Sequence, residues 1–183
     1  DENKADPSSA LVLVNTKELA YQIHREFERL GKFLPGIKSQ VFFGGIPIEK
    51  DKEKLAQNPA ILVGTPARIL DLYRRKMIKF DKLRFFIIDE CDKMFDQKEM
   101  GKDITELFTK TPIDKQVMMF SATFSKEVKK LASKFMQDSE EILIDDEAKL
   151  VIEGILQYYV RVPENQKTKK LTDLLDNLLF NQV

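Results

Sequence analysis

A parallel α/β sheet with helices on both faces is the fold this sequence predicts. Three observations predict it: short apolar runs recur along the chain, they are apolar at nearly every position, and stretches of helical periodicity separate them. A strand buried on both faces reads as a continuous apolar run, and parallel neighbours need a crossover, which a helix supplies.

The elements follow in order. Residues 11–14 form the first run, and Leu19, Ile23, Phe27 and Leu30 then repeat at helical spacing, predicting a helix over 17–33. Gly31 and Pro35-Gly36 stop it. The run at 41–43 precedes a helix over 48–57. The run at 60–63 precedes one over 66–76, where Pro66 suits the first helical position. Runs at 85–88, 117–120 and 142–144 complete the first domain, with helices over 102–110 and 125–136, the latter capped by Ser125. After Asp145-Asp146-Glu147 the pattern changes. Residues 10–147 are read as the first domain, 148–156 as a linker and 157–183 as the opening βα unit of a second domain. In that unit 157–162 is a strand, and Leu171, Leu174, Leu175, Leu178 and Leu179 lie on an amphipathic helix. The alternative is one more strand and helix on a single sheet.

Composition narrows the class. The 183 residues are 43% hydrophobic and 33% charged, an ordinary globular balance. Thirty basic and thirty acidic side chains cancel, so a nucleic-acid surface would have to be a local patch. Cys91 is the single cysteine, which rules out an internal disulfide and suits a reducing compartment. No apolar run approaches membrane-spanning length and no signal peptide is present, so no membrane role is expected.

The chemistry gathers at the ends of the runs. Phe85-Phe86-Ile87-Ile88 closes in Asp89-Glu90-Cys91-Asp92, a buried strand ending in adjacent carboxylates. That is the Walker B arrangement, in which one acid holds the Mg²⁺ of a nucleotide and the next orients an attacking water. Ser121-Ala122-Thr123 closes 117–120, and Thr65-Pro66-Ala67-Arg68 closes 60–64. Polar tips on several strands are how an open α/β sheet builds a site along one edge. His24 has no histidine partner and reads as structural, Cys91 as a small packed side chain, and Lys126, Lys129 and Lys130 as a solvated helix face.

Together these residues resemble a DEAD-box RNA helicase. Asp89-Glu90-Cys91-Asp92 is similar to motif II of the DECD subgroup, Ser121-Ala122-Thr123 to motif III, and Asn15-Thr16-Lys17-Glu18-Leu19-Ala20 to motif Ia. Gly44-Gly45 is similar to the glycine doublet, and Thr65-Pro66-Ala67-Arg68 to motif Ib. The resemblance implies RecA-like domains, the first incomplete and the second only begun, and an ATP-dependent, RNA-stimulated helicase. By resemblance Asp89 and Glu90 are catalytic, with Asp89 holding Mg²⁺ through water. Asp92, Ser121 and Thr123 couple nucleotide state to domain closure. Thr16, Lys17, Gly44, Gly45, Thr65 and Arg68 contact the backbone of single-stranded RNA, although Lys17 or Arg68 read singly is an ordinary solvent-facing helix charge. The cofactors implied are ATP and Mg²⁺. The implied partners are RNA and the factors of mRNA splicing and export, and the implied location is the nucleus with shuttling to the cytoplasm.

Two positions depart from the family pattern. Lys17 stands for arginine, keeping charge but losing a bidentate fork, and Ala67 stands for glycine at a helix start. No Gly-x-x-x-x-Gly-Lys-Ser/Thr loop occurs in these residues. The chain, which starts at Asp1, is therefore expected to be the middle of a helicase and to hydrolyse no ATP alone. The rival readings are an inactive assembly module on the same fold and a Walker-type NTPase acting on DNA.

Overall fold

Alternation along each strand decides the layers. In β1 (Ala10–Leu13), Leu11 and Leu13 join one apolar cluster while Val12 and the following Val14 join another. The same split recurs in β2 (Ser39–Phe42), β3 (Ile61–Gly64) and β4 (Phe85–Ile88): Phe42, Leu62, Phe86 and Ile88 point one way, and Val41 and Val63 the other. Successive side chains of a strand face opposite sides, so a run apolar throughout needs cover on both. With β5 (Gln116–Met119) these strands form one parallel sheet in the order β2-β3-β1-β4-β5. The computed structural model describes residues 6–34, 36–123, 126–136, 138–142, 156 and 158–178.

Helix α1 (Lys17–Leu30) packs Leu19, Ala20, Ile23 and Phe27 on the Val12 face. The chain leaves it through a 3-10 turn, Gly31–Phe33. The other face is covered by α2 (Ile48–Leu55), α3 (Pro66–Arg74), α4 (Cys91–Asp96), α5 (Lys98–Thr109) and α6 (Lys126–Phe135). Ile69, Leu70 and Leu72 of α3 and Ile104 and Leu107 of α5 are buried there. At roughly 1.5–3 kcal/mol for each fully buried aliphatic side chain, this face is the main source of cohesion.

The helices expected from periodicity are present, with two differences. α5 begins at Lys98, ahead of the expected 102, because Met100 already belongs to its apolar stripe. α4 was not foreseen; it starts directly behind the acidic motif. The cap expected at Ser125 lies outside the described residues.

By its contacts the chain divides into two units, Asp1–Ser139 and Glu140–Val183. In the second, α7 (Lys167–Asn177) forms where the leucine spacing predicts it, after a 3-10 turn, Glu164–Gln166. Of the strand expected at 157–162, Gln157 lies outside the described residues, while 158–162 stand outside any strand and Tyr158 and Tyr159 are exposed. A strand needs a neighbour for its N–H and C=O groups, and among the described residues none is paired with this segment. Of the run expected at 142–144, Ile142 is exposed and outside any strand, and the rest lies outside the described residues. So does the linker expected at 148–156, apart from Leu156.

Candidate nucleotide and nucleic-acid site

All the strands are parallel, so their carboxyl ends share one edge, and β1 sits where the chain order reverses, with β3 on one side and β4 on the other. Ligands of open α/β sheets bind outside such a point. The acidic motif stands on the β4–β5 half. Asp89 N–H donates to Leu13 O at 3.0 Å, and Asp89 Oδ1 accepts from Glu90 N–H at 2.9 Å, which orients the carboxylate. Glu90 has φ 53° and ψ 43°, the left-handed region that a side-chain-bearing residue seldom occupies. That turn lets α4 start at once, and Lys93 Nζ meets Glu90 Oε2, a buried oxygen, at 2.5 Å. Local strain of this kind gathers at functional sites.

β5 is tied to this turn. Phe120 N–H donates to Ile88 O at 2.9 Å, and Cys91 N–H donates to Phe120 O at 3.0 Å. Beyond it the Thr123 hydroxyl donates to Asp92 Oδ2, the Ser121 hydroxyl donates to Thr123 O at 2.6 Å, and Thr123 N–H points back to Ser121 Oγ at 3.3 Å. Burial pushes the Asp92 carboxyl up, but the Thr123 hydroxyl and the Lys93 backbone N–H pull harder, leaving it below its ordinary value. Asp92 Oδ1 is buried with no hydrogen-bond partner. Cys91 is fully buried and its thiol is pushed up by desolvation, which fits packing rather than reactivity.

An oxygen-only set at Asp89, Glu90 and Asp92 suits a hard cation such as Mg²⁺. No group of three or more His, Cys, Asp or Glu side chains converges on one metal point among the described residues. His24 bonds Ser39 Oγ through Nδ1 at 2.8 Å, a structural role.

The second group of residues stands on the β2-β3-β1 half. Thr16 caps α1, its hydroxyl accepting from Leu19 N–H at 3.2 Å, and Lys17 beside it is exposed. Gly44 and Gly45 follow β2. Gly45 has φ 87°, and a Cβ at either would meet nothing within 4 Å, so the backbone there faces open space. Thr65 precedes α3 with no capping bond from its hydroxyl, while its N–H donates to Phe42 O at 3.0 Å. The end of β3, just ahead of α3, lies tight against β2, since a Cβ on Gly64 would lie 2.3 Å from Phe42 O. The positive ends of α1 and α3 thus open on the same edge as the glycine doublet, an arrangement suited to phosphate.

Arg68 differs from the rest. Its Nε donates to Asp51 Oδ2 at 2.6 Å and its Nη2 to Ile46 O at 2.7 Å, and its side chain is only 13% exposed. Asp51 was not singled out from sequence. The signal was there: Ile48, Asp51 and Leu55 lie three and four apart on one helical stripe, which puts a carboxylate among core positions.

Known proteins place this edge in context. The family described as DEAD/DEAH box helicase matches residues 2–131. The chain is 55% identical to DEAD-box ATP-dependent RNA helicase 56 of Oryza sativa subsp. japonica, over 95% of this chain and 40% of that protein. It is 53% identical to ATP-dependent RNA helicase WM6 of Drosophila melanogaster, over 94% and 41%. The chain thus spans about two-fifths of the length of these relatives. Among solved structures, S. cerevisiae Dbp5 bound to RNA and ADP BeF3 aligns with TM-score 0.68 at 33% identity, covering 79% of this chain and 35% of that one. The yeast DEAD-box splicing factor Prp28 aligns with TM-score 0.67 at 29% identity, covering 72% and 31%. With the acidic turn, the Ser-Ala-Thr segment and the glycine doublet ordered along one edge of a RecA-like sheet, the chain belongs to the DEAD/DEAH box helicase family.

Proposed function

We propose that this chain is the motif-bearing part of an RNA-stimulated ATPase that remodels RNA or ribonucleoprotein in nuclear mRNA splicing or export. The observation that carries this reading is the division of one sheet edge, with carboxylates and hydroxyls at the β4–β5 tips and uncrowded backbone with helix N-termini at the β2-β3-β1 tips. The names of the matching helicases and of the splicing factor Prp28 support the setting.

On this reading Glu90 orients the water that attacks the terminal phosphate and takes its proton, from a position outside the Lys93 ion pair. Asp89, held by the Glu90 N–H, would hold the magnesium ion, which when bound would supply charge neutralisation to the phosphates. Asp92, Ser121 and Thr123 pass the nucleotide state to the neighbouring domain, since the exposed Ser121 and Thr123 hydroxyls can change partners with water at hand. Thr16, Lys17, Gly44, Gly45 and Thr65 line the path of the RNA backbone. Backbone contacts position a strand without reading it, so weak base preference follows.

The 183 residues alone are expected to hydrolyse no ATP, since they hold no Gly-x-x-x-x-Gly-Lys-Ser/Thr loop to grip the phosphates. The test is steady-state ATP hydrolysis by the intact protein with and without single-stranded RNA, in wild type and E90Q. RNA-stimulated turnover that falls about 10²–10⁴-fold in E90Q supports the reading. Turnover that is absent in wild type, or indifferent to RNA, sinks it and favours an assembly module.

A further inference from the structure

Helix α2 is a run of charges, Ile-Glu-Lys-Asp-Lys-Glu-Lys-Leu, and such a run ordinarily faces water. Asp51 does not: its side chain has no exposure at all. A carboxylate taken out of water persists only when ionic and hydrogen-bonding partners replace the solvent. Here Arg68 supplies Nε at 2.6 Å to Oδ2, while Oδ1, buried without a hydrogen bond, has Lys54 Nζ as an ionic neighbour 3.8 Å away. Neither cation is spent on Asp51 alone. Arg68 Nη2 donates to Ile46 O, and Lys54 Nζ donates to Val41 O at 2.7 Å while lying over the Phe42 and Phe43 rings. The cluster therefore joins α2, the end of β2, the loop carrying Gly44-Gly45, and the first turn of α3 behind Thr65. Burial lowers the Lys54 ammonium from its ordinary range, and Asp51 offsets part of that.

We infer that Asp51 is a positioning residue for the RNA backbone site, acting through Arg68, which anchors the Gly44–Gly45 loop to the start of α3 and does not itself neutralise a phosphate. The inference rests on the RNA reading proposed above. Drawing the guanidinium out to a phosphate would strand Asp51 in the core without its hydrogen-bonded partner and would release Ile46 O. Lys17 is the contrast: it is exposed, with only a 3.8 Å contact to Glu18, and can turn to a phosphate without breaking anything.

The test measures affinity of the intact protein for a short oligouridine, with a non-hydrolysable ATP analogue, across a salt series. Variants are D51N, R68Q, R68K and K17A. Each phosphate neutralised on a single strand contributes about −0.7 to the slope of log K against log salt. K17A is expected to flatten the slope by that amount. D51N, R68Q and R68K are expected to weaken binding about 10-fold or more, as loss of an outer support does at other built sites, with the wild-type slope retained. R68K is decisive if D51N folds poorly, because it keeps the charge and loses the fork. A flatter slope in R68Q, or near-wild-type affinity in R68K, overturns the inference and makes Arg68 a direct phosphate ligand. Should wild type bind no RNA, the functional reading fails, and amide exchange at Thr65 and Ile69 still judges the anchor. Both N–H groups are hydrogen-bonded, to Phe42 O and Thr65 O, and their exchange should speed up at least tenfold in R68K. Unchanged exchange there sinks the anchor.

Discussion

At the tips of β4 and β5 the polar contacts are made by side chains near the surface, whereas behind the tips of β2 and β3 they surround a carboxylate with no exposure. In the Asp92–Thr123–Ser121 network and the Glu90–Lys93 pair, the Thr123 and Ser121 hydroxyls and the Lys93 ammonium lie at the surface and can trade their partners for water, although Asp92 Oδ1 and Glu90 Oε2 are themselves buried. Exposed contacts of this kind are worth about 0–1 kcal/mol. The Asp51–Arg68 pair cannot exchange with water, and removing one member of a buried pair costs about 3–5 kcal/mol. On the proposed reading the corner that must change with nucleotide state is held by weak bonds, and the corner that must present a fixed track is held by strong ones.

The comparison breaks most visibly at Asp51. Alanine there is expected to lower stability by about 3–5 kcal/mol in urea unfolding, since Arg68 stays buried without its acid. A loss under about 1 kcal/mol would mean the two corners are held alike. Next is Gly64→Ala, whose Cβ would meet Phe42 O at 2.3 Å and must push the ends of β2 and β3 apart. A loss of about 1–3 kcal/mol is expected from such overpacking, with weaker protection of Thr65 N–H in hydrogen exchange.

Thr123→Val should change stability at neutral pH by no more than about 1 kcal/mol and should act instead on the pH dependence. Asp92 is held below its ordinary value of 3.8, so its contribution is present above that pH and is lost as pH falls through the lower folded value. Removing the Thr123 hydroxyl leaves burial, which pushes upward, less opposed. The Asp92 carboxyl should therefore titrate at higher pH in carbon-detected NMR, and its contribution should be lost earlier on acidification. An unmoved titration would separate Asp92 from Thr123 in solution. The smallest effect belongs to Ala67→Gly. Ala67 is exposed in the first turn of α3, and the loss of helix propensity should stay below about 1 kcal/mol in the same unfolding assay.

What could be read from the sequence was whatever is local. Apolar runs and helical spacing announced β1 to β5 and the helices α1, α2, α3, α5, α6 and α7 because each period is carried by neighbours in the chain. The acidic motif was legible because a buried strand ending in carboxylates has few structural excuses, and the ordered motifs beside it named the family. Three things were decided only by tertiary structure. α4 depends on Glu90 taking a left-handed turn, which no periodicity encodes. The segment at 158–162 has strand-like residues but pairs with no strand among the described residues, and pairing is a property of two segments. Asp51 sat on an apolar stripe in plain view, yet its partner Arg68 lies on the next helix, beyond an intervening strand. Charge pairing across that gap arises only once β2 and β3 bring α2 and α3 together. The sequence by itself therefore determined which elements form and which chemistry they carry, since both are encoded in short windows. Tertiary structure decided which charges are buried and which groups meet, because burial and contact exist only between parts already folded.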